Sequence, residues 1–175
     1  MCGIVGYIGV KKAKPILING LLRLEYRGYD SAGIATMEQD KIVVMKDSAG
    51  IATVENGSII NVKNKGRVSE LESIEAINSL QGTIGIGHTR WATHGKPSST
   101  NSHPHMDNSN TFSVVHNGII ENYADLREFL KDHGYTFFSE TDTEVIPNLI
   151  HFYFKDSKET GNKKFLKIKK NVSFC

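Results

Sequence analysis

The sequence predicts a layered domain mixing helices and strands, of the α/β or α+β kind. Short apolar runs with glycine and β-branched residues, such as GIVGYI at Gly3–Ile8 and FSVVH at residues 112–116, read as strands. Between them, segments such as Ala13–Leu24 carry apolar residues (Ile16, Leu17, Leu21, Leu24) at helical spacing. With 175 residues, 39% of them hydrophobic, the chain can bury the core of one domain with an appendage.

In chain order, Gly3–Ile8 is a buried strand and Ala13–Leu24 a helix. Strand-like stretches at 34–37 and 42–45 flank the polar turn Glu38-Gln39-Asp40. A helix over 68–78 leads to a strand at 83–87, and residues 123–133 form a helix with Leu126, Phe129 and Leu130 on one face. Thr141 and Glu144 of TDTE have capping-box spacing and predict the start of a last helix running to Phe154. Pro147 falls in the first turns of that helix, where it is harmless if Thr143 is the cap and costs a hydrogen bond if Thr141 is.

Two segments stand apart. Residues 30–46, DSAGIATMEQDKIVVMK, are followed at once by 47–63, DSAGIATVENGSIINVK, identical at ten of 17 positions. This is a tandem copy of a hairpin-sized unit, too few copies for a solenoid, and 47–63 reads as an extra hairpin. Residues 155–175 hold seven lysines against Asp156 and Glu159 and read as a solvated tail.

Composition excludes several classes. A net charge of +2 supplies no field for nucleic acid or a membrane surface. Two cysteines, Cys2 and Cys175, are no disulfide framework. No apolar run has transmembrane length and no signal-peptide layout opens the chain, so a cytoplasmic location is expected.

Polar residues concentrate between Gly87 and Asp142. GHTRWATHGKPSSTNSHPH (87–105) holds the single tryptophan beside Arg90 and four of the seven histidines, His88, His94, His103 and His105. Imidazole suits several metals, but there is no His-x-x-x-His, no CxxC and no carboxylate at ligand spacing, so no metal is expected. Gly82-x-x-Gly85-x-Gly87 lies within a strand and opens no helix, so it is no dinucleotide fingerprint; there is no P-loop, and no cofactor is expected. The set suits a small zwitterion instead. Arg90 can grip a carboxylate and Asp142 an ammonium, while Asn117-Gly118 offers an amide and an open backbone N–H, the donor pair of an oxyanion hole.

MCGIVGYIG, LEYRGYDSAG (24–33), HTRWATHG (88–95), SHPH (102–105), HNGIIENY (116–123) and SETDTE (139–144) together resemble a class II glutamine amidotransferase domain, of the N-terminal-nucleophile hydrolases. The wording is most similar to the glutaminase half of the glutamine–fructose-6-phosphate aminotransferase (isomerizing), or glucosamine-6-phosphate synthase, family. The likeness covers residues 2–154, interrupted by 47–63. It implies an α+β fold, an αββα sandwich of two mainly antiparallel sheets between helix layers, incomplete at its C-terminus, and with the sugar-isomerase domains of amino-sugar synthesis absent.

The resemblance also implies roles. Cys2 matches the nucleophile, exposed when Met1 is removed, with its own α-amino group as base. Arg27 matches the arginine that positions the terminal residue, and Asn117 and Gly118 the oxyanion hole. Arg90, Trp91, Thr93, His94 and Asp142 match the glutamine pocket, with His103 on a neighbouring loop. The implied partners are L-glutamine, and fructose 6-phosphate only through the missing isomerase part; longer family members are expected to be homo-oligomers. Two alternatives stay open: an inactive fragment that at most binds glutamine, and the related phosphoribosyl-accepting amidotransferases.

Overall fold

A computed structural model describes residues 3–27, 31–40, 51–65, 67–72, 75–78, 80–90 and 96–160. The larger sheet has strand order β1-β4-β2-β3, from β1 (Gly3–Ile8), β2 (Ser31–Asp40), β3 (Ile51–Lys65) and β4 (Ile84–Arg90), every neighbouring pair antiparallel. Helix α1 (Ala13–Leu24) covers one face, packing on β1, β4 and β2 and burying Ala13, Leu17, Ile18 and Leu21 in one cluster with Ile60 and Val62 of β3. Val68 of α2 (Val68–Glu72), Ile77 of α3 (Glu75–Asn78) and Leu80 complete this core. Each such leucine or isoleucine contributes about 1.5–3 kcal/mol by leaving water. Contact between α1 and β1 is close enough that a Cβ on Gly20 would sit 2.8 Å from Val5 Cγ1.

A second core lies under α4 (Tyr123–Asp132) and α5 (Val145–Thr160), with Leu126, Leu130, Val145, Leu149 and Tyr153 around Ile120. A two-stranded sheet, β5 (His105–Met106) with β6 (Ser113–Val114), packs beside α5.

Expected and observed elements differ in several places. The strand predicted at 83–87 runs instead to Arg90, because β1 pairs it from one side as far as Thr89 and β2 from the other as far as Arg90. The strand predicted at 112–116 shrinks to Ser113–Val114: next to its partner, Asp107 turns its carboxylate onto the N–H groups of Ser109, Thr111 and Phe112 and folds a tight loop. The helix predicted over 68–78 is two short ones among the described residues. Thr141 does not cap α5, which begins at Val145. Pro147 therefore falls in the first turn, where no N–H is needed, and the helix runs on to Thr160.

The tandem copies share one ladder. Met37 faces Ile59 and Ile34 faces Val62, so the first half of copy one pairs with the second half of copy two. Val54 stands 17 residues after Met37, at the equivalent place in copy two. A single unit in this register would put Val54 opposite Ile59 and reverse at Asn56-Gly57, a pair suited to a two-residue hairpin turn. Here Ile51–Lys65 is one strand instead, because its second half is already paired with β2. The stretch expected at 42–45 lies outside the described residues.

Residues 41–55 therefore separate two halves that one unit would join by a turn. Excising 30–46 preserves the ladder and shortens this connection, which by loop-closure entropy gains about 2 kcal/mol. Thermal unfolding should show a higher Tm for this excision, and a smaller rise when 47–63 is removed, since that variant would turn at Gln39-Asp40. A fall in Tm for the first excision would show that the register is not inherited from a single unit.

Candidate active site

The face of the large sheet away from α1 carries polar side chains. On β3, Ile60 and Val62 point into the α1 core, so Asn61 and Lys63 point the other way. Asn61 Nδ2 donates to the Pro104 carbonyl (3.0 Å) and Lys63 Nζ to the Ser102 carbonyl (2.7 Å), so β3 holds the SHPH segment against the sheet. On β4, extension to Arg90 puts His88 and Arg90 on this same face, both almost fully buried. Thr89 points to α1 and accepts the Gly3 N–H (3.0 Å). A Cβ on Gly3 would meet Leu24 and Thr89 at 2.8–2.9 Å, so only glycine fits there.

Three buried imidazoles form a ladder across this seam. His88 and His103 stack with ring centroids 4.3 Å apart and planes 16° from parallel, and His105 meets His103 edge-on at 4.7 Å. His88 Nε2 lies 2.7 Å from Asn117 Oδ1. His103 Nδ1 accepts the His116 N–H at 3.4 Å, and His105 Nε2 lies 2.9 Å from Thr141 Oγ1. Burial lowers the pKa of His88 to about 4 and puts those of His103 and His105 well below the ordinary value, helped by Lys63 and Arg90 beside the latter two. The ladder is neutral at physiological pH. Lys63 as a whole is half-buried, yet burial lowers its ammonium to about 7, with Glu144 opposing.

SETDTE closes the far side. Glu144 accepts the N–H groups of Phe138 (2.9 Å) and Ser139 (2.8 Å) and the Ser139 hydroxyl (2.6 Å). It thus braces the loop five and six residues back, in place of the capping-box partner three back. Asp142, 4% exposed, accepts the Ile120 N–H through Oδ2 (2.7 Å), which ties it to the turn after Asn117-Gly118. Asn117 and Gly118 are exposed, and Gly118 has φ +148°, a conformation that disfavours any side chain.

Of the residues singled out in the sequence, Asn117 and Gly118 lie in the segment that Asp142 holds through the Ile120 N–H, and Arg90 lies on the same strand face as His88, which meets Asn117. Arg27 ends a 3-10 turn, Glu25–Arg27. Cys2, Trp91, Thr93 and His94 lie outside the described residues. Sequence reasoning passed over Asn61, Lys63 and Thr89, gave Thr141 only a capping role, and left His88 and His105 without roles. The available signal was alternation, His88 with Arg90 and Asn61 with Lys63, which places each pair on one face of a strand. Among the described residues no group of three or more His, Cys, Asp or Glu could hold a metal, and no helix is long and apolar enough to cross a membrane.

The neutral ladder makes stability acid-sensitive. Unfolding frees the three imidazoles to bind protons near pH 6.5, whereas the folded His88 resists until about pH 4. Between these values the unfolded state holds more protons, so stability is lost as pH falls, by up to about 1.4 kcal/mol per pH unit for each histidine. Urea unfolding should give a clearly lower midpoint at pH 5.5 than at 7.5; equal midpoints would contradict burial of neutral rings.

The fold is that of the amidotransferases. It superposes on the glutamine phosphoribosylpyrophosphate amidotransferase of B. subtilis with a TM-score of 0.70, covering 99% of this chain and 33% of that one at 23% identity. A structure described as the allosteric regulatory enzyme of purine biosynthesis gives 0.73 at 24% identity, covering 99% and 34%. Just over half of the chain, residues 75–165, matches the family described as Glutamine amidotransferase domain, and the chain belongs to that family. Its similarity to the glutamine–fructose-6-phosphate aminotransferase (isomerizing) of Clostridium perfringens is 57% identity over 155 residues, 89% of this chain and 23% of that protein. The enzyme of the same name from Methanococcus maripaludis is 48% identical over 172 residues, 98% of this chain and 26% of that protein. The chain spans about a quarter of the length of these curated relatives.

Proposed function

We propose that this chain hydrolyses the side-chain amide of L-glutamine, the half-reaction that supplies ammonia for glucosamine 6-phosphate synthesis from fructose 6-phosphate in longer relatives. The observation that best supports this is the pairing of two exposed donors, the Asn117 amide and the Gly118 N–H, with Asp142 tied by Ile120 to the same turn. In this reading, residues 2–154 form the glutaminase domain, with 47–63 as a repeated unit.

With Met1 removed, the Cys2 thiol gives its proton to its own α-amine and attacks the amide carbon. The carbonyl oxygen takes up the electron pair and is held by Asn117 and Gly118. The tetrahedral centre collapses to a γ-glutamyl thioester as the proton passes to departing ammonia, and water then releases glutamate and restores the thiol. Arg90 and Asp142, with Trp91, Thr93 and His94, hold the two charged ends of the substrate, and Arg27 positions the terminal residue. Anchoring of Gly3 by Thr89 supports this, because it fixes the residue next to Cys2.

Identity of 57% to a sugar-phosphate aminotransferase favours this reading over the phosphoribosyl-accepting enzymes, which the fold comparison meets only at 23–24%. The test is glutamate release from glutamine by the purified chain, with intact mass in parallel. Release that tracks the Met1-free fraction is expected. Glutamine binding without release would make the chain a binding fragment.

A further inference from the structure

His88 lies on β4, outside the donor pair, with its ring closed between the sheet and His103. Its Nε2 meets Asn117 Oδ1 at 2.7 Å and its ring also interacts with the His116 backbone, whereas no polar group among the described residues meets its buried Nδ1 in hydrogen-bond geometry. A neutral imidazole carries one proton. On Nδ1 that proton would be a buried orphan donor, which proteins avoid more strictly than an unused acceptor lone pair. On Nε2 it has an acceptor. The buried Nδ1 and the close Oδ1 together favour one arrangement, in which Nε2–H donates and Asn117 Oδ1 accepts.

We infer that His88 is a positioning residue for the oxyanion hole, its Nε2–H fixing the Asn117 amide so that Nδ2 is turned away from the sheet as the donor to substrate. This rests on the proposed amide hydrolysis. Without the imidazole, the amide could rotate by a half-turn and present Oδ1, an acceptor that repels a developing oxyanion. The ring cannot turn away either. His103 stacks on it, the His116 N–H holds His103 Nδ1, and β3 holds the backbone on both sides of His103 through Ser102 and Pro104. Neutrality, which burial enforces, keeps the stacked rings from repelling one another.

Two substitutions of His88, a double variant and a spectroscopic readout test this. His88→Phe keeps a stackable ring but has no donor; it should lower kcat for glutamate release about 10–100-fold with KM within about twofold, since only the oxyanion donor is misplaced. His88→Gln carries an N–H near the Nε2 position and should recover most of kcat. In an Asn117→Ala background, His88→Phe should add less than about threefold, because the group it orients is gone. Long-range 15N spectra of the wild-type protein should show His88 as the Nε2–H tautomer, with no titration near pH 6.5. An Nδ1–H tautomer, a ring that titrates near 6.5, or an unchanged kcat in His88→Phe would overturn the assignment. A wild-type chain that releases no glutamate would defeat the proposed hydrolysis alone, and the tautomer would still decide the role of His88.

Discussion

Cys2→Ala should abolish glutamate release, with a fall in kcat on the order of 10⁴–10⁶-fold, the scale on which loss of a nucleophile is felt. In the proposed mechanism no other group can take its place. The serine and threonine hydroxyls of the described site are engaged within it: Thr89 with the Gly3 N–H, Thr141 with His105, Ser139 with Glu144. Folding should be untouched, because the strand that follows is held through Gly3 and its ladder with β4. Cys2→Ser should be only a partial replacement, a hydroxyl being the weaker nucleophile at neutral pH. The same mechanism sets the pH dependence of the parent. Its base is an α-amine with an ordinary pKa near 8, so the rate should climb with pH and level off above about 8. Glutamate release by Cys2→Ala at the parent rate would eliminate the cysteine mechanism.

Much of the scaffold was legible because simple periodicity sufficed. Gly3–Ile8 and Ala13–Leu24 form where glycine-punctuated apolar residues and helical spacing place them, and α4 ends one residue short of its expected limit. What escaped prediction depends on partners distant in sequence. Nothing local in GHTR distinguishes strand from loop; two neighbouring strands carry β4 through it, and only that extension sets His88 and Arg90 on one face. The Thr141–Glu144 spacing fits a capping box, yet Glu144 bonds Phe138 and Ser139 and Thr141 bonds His105. The repeat was plain in the sequence, but its register was not, because equivalent residues recur every 17 positions and local pattern cannot choose between copies. The proposed donor pair could be named by residue type. The imidazole that meets Asn117 was hidden among four histidines whose contacts only packing separates.

Asn117→Ala should lower kcat about 10²–10³-fold, or about 3–4 kcal/mol of transition-state stabilisation. The loss falls on kcat and not on KM, because the amide donates to charge that develops only as the thiol attacks. Stability should fall by no more than about 1–3 kcal/mol, because Asn117 is exposed but the buried His88 Nε2–H loses its acceptor. Asn117→Asp sharpens the test. Its carboxylate still accepts from His88, so the ground-state structure persists, but it presents a negative oxygen where Nδ2 stood. Its kcat should fall at least as far as that of the alanine variant. A purely structural role for Asn117 gives the opposite order, because aspartate preserves the contact with His88 and alanine removes it. Steady-state kinetics of the two variants, with thermal unfolding as the control, separate these outcomes: alanine slower than aspartate would remove Asn117 from the oxyanion hole.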